Sequence, residues 1–211
     1  MDEIFLLYKK FKKSIKECQR AFANVPKNEY FYELCYCLLT PATKAENALQ
    51  ATNLLKKKNF FELGFDPVEI LRGTEIGNNS TKKFYIRFHN TKSKRLLAAR
   101  QIWEQIIEIL ESKISSFEKR EFLVAMVDGF GFKEASHFLR NIGYRDFAIL
   151  DRHILKNLNR YGIISGDVKI SSPKKYLEIE KLFFEFAHSI GIPPSDLDLL
   201  FWAKETGYVL K

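Results

Sequence analysis

Lys133 follows a Gly129-Phe130-Gly131 turn, and Asp151 lies further along the same run, GFGFKEASHFLRNIGYRDFAILDRHI. Glycine reaches positive φ at little cost, so the turn can be tight enough to join two helices. Lys133 then falls in the first turn of the second helix. The positive end of a helix dipole disfavours an ammonium there and pushes the amine toward its neutral, nucleophilic form. Such an amine can attack a carbon with carbonyl character and form a Schiff base. The same residues also suit an ordinary helical hairpin carrying a surface lysine. Asp151 precedes RHILKNLNRYG, a helical run closed by Gly162, and reads first as an N-cap.

The elements that must position these two side chains are helices. Ile4, Leu7, Phe11, Ile15 and Phe22 recur at mostly three- and four-residue steps over residues 3–23. Asn28 is placed to cap a nearly all-apolar helix over 29–40, closed by Pro41. A further helix over 43–57 ends in lysines, and Asp66-Pro67 opens a short one that stops near Gly73. Residues 73–82 are the most loop-like stretch. Lys82, Lys83, Phe84, Tyr85, Arg87, Phe88 and His89 follow, a mixture that suits nucleotide stacking as well as buried aromatics with lysines outside. Residues 91–111 form the clearest amphipathic helix. The hairpin pair is expected over 118–127 and 132–141, followed by helices after Asp151, Ser172-Pro173 and Pro193-Pro194. No strand pattern, internal repeat or low-complexity linker interrupts this, so the expected fold class is all-α.

Lys and Arg outnumber Asp and Glu by 34 to 26, a net charge of +8 that favours a polyanionic partner. Cys18, Cys35 and Cys37 form neither a disulfide framework, nor a zinc pattern, nor a four-cysteine iron-sulfur site. The N-terminal MDEIFLLYKKFKK lacks the basic start and continuous apolar centre of a secretory signal. No apolar run approaches the roughly 18 residues of a membrane span. A soluble, reduced, cytoplasmic protein with no membrane partner is expected.

A glycine hairpin, a lysine at the start of the next helix and an aspartate before a third resemble the helix-hairpin-helix DNA glycosylase superfamily. That run, with NEYFYELCYCLLT at 28–40 and DLDLLFWAKETGYVLK at the end of the sequence, is similar to type 2 8-oxoguanine DNA glycosylase/AP lyases. The resemblance implies two helical subdomains with a cleft between them. One would span residues 26–140, with the helix-hairpin-helix at about 118–141, and the other residues 1–25 plus 141–211. It implies base-excision repair by a prokaryotic monomer acting on double-stranded DNA that contains 8-oxoguanine.

Carried over by position, Lys133 matches the family's nucleophile and Asp151 its catalytic aspartate. Ser136, His137, Asp198, Trp202 and Lys211 would form the base pocket. Gly129, Gly131 and His153 would face DNA phosphates, the hairpin directly or through a monovalent cation. No metal or organic cofactor is required, because the lysine itself supplies the electron sink. One departure stands out: Ala42 occupies the place where many relatives carry Asn or Gln to fill the hole left by the flipped base. A superfamily glycosylase for another damaged base and a non-catalytic helix-hairpin-helix DNA-binding protein are the alternatives. The lack of cluster cysteines and the Lys211 tail count against the first, and Lys133 together with Asp151 against the second.

Overall fold

The computed structural model describes residues 2–73, 84–166 and 168–209, and within them every regular element is helical. The helices are α1 (Asp2–Ala23), α2 (Tyr30–Leu39), α3 (Ala45–Lys57), α4 (Phe60–Leu63), α5 (Val68–Arg72) and α6 (His89–Gln101). Then follow α7 (Trp103–Glu111), α8 (Ser116–Met126), α9 (Phe132–Asn141), α10 (Arg152–Arg160), α11 (Pro173–Ser189) and α12 (Pro194–Thr206). The all-α expectation holds. No described helix is long and apolar enough to cross a membrane.

Local signals explain most boundaries. Ser172 caps α11 by accepting from Lys175 N–H at 3.2 Å, with Pro173 inside the first turn. Ser115 and Glu118 form a reciprocal capping box, so α8 starts two residues before the expected Glu118. Asp66 accepts from Val68 N–H at 3.0 Å just ahead of α5, but Pro67, expected as the first helical residue, is itself the N-cap. Asn28 does not cap α2: it lies inside a 3-10 turn, Lys27–Glu29, whose last residue leads into the helix. The single helix expected over 91–111 is broken at Ile102 (φ −101°, ψ 12°) into α6 and α7. The apolar face nevertheless stays continuous, with Leu96, Ala99, Trp103, Ile106 and Leu110 all buried.

The chain divides into two compact units, Met1–Val25 with Phe132–Lys211, and Pro26–Gly131. The second boundary was expected at residue 140 and falls instead just before α9. That helix packs against α1, and its residues bind side chains of α11 and α12.

In the central unit, α2 is buried along nearly its whole length. Phe31 packs against Phe60, Phe61 and Trp103 at centroid distances of 6.0, 4.7 and 5.2 Å. Lys92, only 2% exposed, donates to Leu39 O (2.7 Å), Pro41 O (2.7 Å) and Thr43 Oγ1 (3.0 Å). A cation there satisfies carbonyls at the C-terminal end of α2, where the dipole also favours it. It fixes the turn that presents exposed Ala42 in the left-handed region at φ 55°. In the other unit, α1 is tied to α12 through buried Asp196, which accepts from Tyr8 Oη (2.5 Å), Lys16 Nζ (2.9 Å) and Gln19 Nε2 (2.5 Å). Beneath that network Phe183, Phe186 and Phe201 centre the hydrophobic core.

Candidate active site

The hairpin turn is closed by a bond from Phe130 N–H to Val127 O at 3.0 Å. Gly129 carries the positive φ, 92°, and Gly131 does not. A side chain at Gly129 would be strained and would also collide with Arg95, whose Cδ and Nε lie 2.7 Å from the place of a Cβ. Arg95 is in turn 3.4 Å from the Asp128 carboxylate. The turn therefore delivers the chain directly into α9, whose second residue is Lys133.

Lys133 Nζ lies 2.9 Å from Glu134 Oε1, and its side chain is 30% exposed. Its ionic partner among the described residues is thus the adjacent glutamate and not Asp151. Glu134 places a proton acceptor within hydrogen-bond reach of the amine. Nothing in the sequence marks out Glu134, because an acid in the first turn of a helix is ordinary on dipole grounds. Ser136, His137 and Arg140 follow Lys133 at helical spacing on one side of α9. Ser136 is fully buried and His137 is 9% exposed.

Asp151 has extended backbone (φ −89°, ψ −179°) and caps α10. Its Oδ1 accepts from His153 N–H at 2.8 Å and Ile154 N–H at 2.9 Å. Both bonds fall on one oxygen, so Oδ2 lies outside the cap. Lys133 and Asp151 belong to the same compact unit. His153 is half-buried, and its Nε2 accepts from Arg152 Nε at 3.3 Å.

Asp198 is 4% exposed, and both its oxygens are engaged. Oδ1 accepts from Ile149 N–H at 3.0 Å, and Oδ2 accepts from Arg140 Nη1 at 3.0 Å. Arg140 also donates to Asn141 Oδ1 and lies 4.9 Å above the Phe22 ring. Burial pushes the Asp198 carboxyl up to about 6, against the pull of the Arg140 guanidinium and the Ile149 N–H, and the charge of Asp151 adds to the rise. A carboxyl whose folded pKa exceeds its ordinary 3.8 contributes stability that is fully present below pH 3.8 and lost as pH rises through about 6. We expect the unfolding free energy of the natural protein, relative to Asp198→Asn, to fall by about 2 kcal/mol between pH 4 and pH 7. Urea unfolding across that range checks it; a difference that rises with pH would mean that Arg140 outweighs burial.

Trp202 is half-buried and meets Tyr208 edge-on at 5.2 Å, so it is not a core residue. Lys211 lies outside the described residues, as do Lys82 and Lys83. Tyr85 and Phe88 are 53% and 55% exposed, whereas Phe84 and Ile86 are buried, so the aromatic segment alternates between core and surface. The described residues contain no cluster of His, Cys, Asp and Glu suited to a metal ion.

A family model described as 8-oxoguanine DNA glycosylase matches residues 11–192. The chain is 37% identical, over all of its length and 97% of the other's, to a Fusobacterium nucleatum protein named 8-oxoguanine DNA glycosylase/AP lyase. A Thermoplasma volcanium protein of the same name is 40% identical over 91% of this chain and 87% of its own. Among solved structures, 8-oxoguanine DNA glycosylase of Methanocaldococcus jannaschii superposes with a TM-score of 0.82 at 36% identity, covering 100% of this chain and 95% of that one. A complex of the Methanocaldococcus jannaschii 8-oxoguanine glycosylase/lyase with a 15mer DNA containing 8-oxoguanine gives 0.82 at 33% identity, with all of both chains covered.

Proposed function

We infer the reaction from one premise: the chain belongs to the 8-oxoguanine DNA glycosylase family. It is a bifunctional enzyme of base-excision repair, which removes 8-oxoguanine from DNA and cleaves the abasic site that remains. We assign the chemistry to Lys133 and Asp151. The observation that carries this assignment is the placing of Lys133 at the start of α9, directly after the glycine turn, in one compact unit with the capping Asp151.

In this reading the lesion nucleotide leaves the stack, at a cost that is smaller for a poorly paired base. The Lys133 amine, having given up its proton, attacks C1′ of the sugar. The glycosidic bond breaks and its electron pair leaves with 8-oxoguanine. Sugar-ring opening then gives a Schiff base between Lys133 and C1′, which acidifies the C2′ proton. Loss of that proton expels the 3′ phosphate by β-elimination, and water releases the enzyme. The Asp151 carboxylate stabilises oxocarbenium character at C1′, and its capping bonds fix where that charge sits. Glu134 or Asp151 accepts the lysine proton.

The other candidate residues divide the remaining labour. Gly129, Gly131 and His153 serve the DNA backbone, with a monovalent cation able to bridge the hairpin to a phosphate. Ser136 and His137 on the Lys133 side of α9, half-buried Trp202 and Lys211 serve the base, and Asp198 supports them through Arg140. Exposed Tyr85, Arg87 and Phe88 offer stacking and charge to unpaired bases. Because one chain carries both reacting groups, a monomer suffices. The bacterial and archaeal relatives support a setting in the prokaryotic cytoplasm.

The test is borohydride trapping on a duplex with a single 8-oxoguanine. A covalent protein–DNA adduct is expected, together with strand cleavage on the 3′ side of the lesion. Base release with neither adduct nor cleavage would rule out Schiff-base chemistry.

A further inference from the structure

The segment before Asp151, Phe147 to Leu150, is buried and non-helical, so its backbone N–H groups need partners from elsewhere. Three successive residues find them in three different side chains. Ala148 N–H donates to Glu180 Oε1 at 3.1 Å, Ile149 N–H to Asp198 Oδ1 at 3.0 Å, and Leu150 N–H to Tyr176 Oη at 3.3 Å. The Tyr176 hydroxyl in turn donates to Ala148 O at 2.6 Å. Tyr176 and Glu180 come from α11 and Asp198 from α12, and each is no more than 4% exposed.

Tyr176 also reaches the helix of the nucleophile. Its Oη lies 3.5 Å from Ser136 Oγ, and its ring is 5.6 Å from that of Phe132, the neighbour of Lys133. One side chain therefore touches both α9 and the strip of backbone that ends in Asp151. At that end Asp151 N–H donates to Ile149 O at 2.7 Å, so a shift of Ile149 is passed directly to the aspartate.

We propose that Tyr176, Glu180 and Asp198 are positioning residues that set the register of Asp151 against Lys133, with Tyr176 as the link between the two. The inference rests on the assignment of Lys133 and Asp151 made above. The physical reason is the steep dependence of such chemistry on geometry: displacement of a reacting group by about 1 Å can cost roughly a hundredfold in rate.

The experiment is single-turnover excision and borohydride trapping with enzyme in excess over an 8-oxoguanine duplex. It compares the natural protein with Tyr176→Phe, which keeps the ring and loses the hydroxyl. The expected result is a rate constant lower by about tenfold or more, with affinity for the duplex changed by less than about twofold. A purely structural defect would lower the yield of trapped adduct with duplex in excess, which counts folded enzyme, and leave the single-turnover rate constant at saturating enzyme unchanged; that outcome overturns the proposal. Glu180 gives a second comparison. Glu180→Met removes the acceptor for Ala148 and should slow excision, whereas Glu180→Gln keeps an acceptor oxygen and should recover most of the rate. Equal rates for the two variants would also overturn it. If the natural protein forms no adduct at all, the assignment of Lys133 fails first and this inference with it.

Discussion

Lys133→Gln is expected to form no covalent adduct with an 8-oxoguanine duplex under borohydride, and its base release to fall by roughly a thousandfold or more. Glutamine is close to lysine in length, and its amide N–H can still donate to Glu134 Oε1, so the start of α9 keeps its local bonding. What disappears is the only group in the first turn of that helix able to become a carbon-bound nitrogen. Affinity for the duplex is expected to stay within about threefold, because many contacts to phosphate share the binding energy. Single-turnover excision, strand cleavage and gel-shift titration on the same duplex separate these effects. An adduct that survives in the variant would put the nucleophile elsewhere, and peptide mapping of that adduct would locate it.

Asp151→Asn separates the two roles of the aspartate. Asparagine is as good an N-cap as aspartate, so the bonds to His153 and Ile154 N–H survive and stability should change by less than about 1 kcal/mol. The carboxylate charge near the reacting sugar is lost, and excision should fall by about 10²- to 10⁴-fold. Asp151→Ala should lose the rate to a similar extent and about 1 kcal/mol of stability besides. Urea unfolding and single-turnover rates on the three proteins check both halves. An asparagine variant as active as the natural enzyme would reduce Asp151 to a cap.

The helical periods and most caps were legible in the chain, because they depend on residues three or four positions apart. Ser172 opens α11 and Gly162 follows the end of α10, both where expected. Asn28 and Ile102 depart from the local pattern for the same reason in opposite senses. Asn28 has a capping side chain but sits within a 3-10 turn, and Ile102 belongs to an unbroken apolar pattern but breaks the helix. Neither the turn nor the break alters the spacing of apolar residues. Glu134 was visible as a neighbour of Lys133, but its ion pair depends on rotamers that spacing does not report.

By itself, the sequence determined an all-α chain, a glycine turn that must feed a helix at Lys133, and an aspartate able to cap the helix after it. These are short-range properties set by backbone conformational cost, helical periodicity and the helix dipole. Only the tertiary structure decided that α9 belongs with the two ends of the chain, that Asp198 is held by Arg140 and Ile149, and that Tyr176 and Glu180 grip the backbone before Asp151. Those partners lie tens of residues apart. Their pairing is fixed by which buried N–H groups and charges need satisfying once the helices have packed, and no periodicity along the chain carries that information.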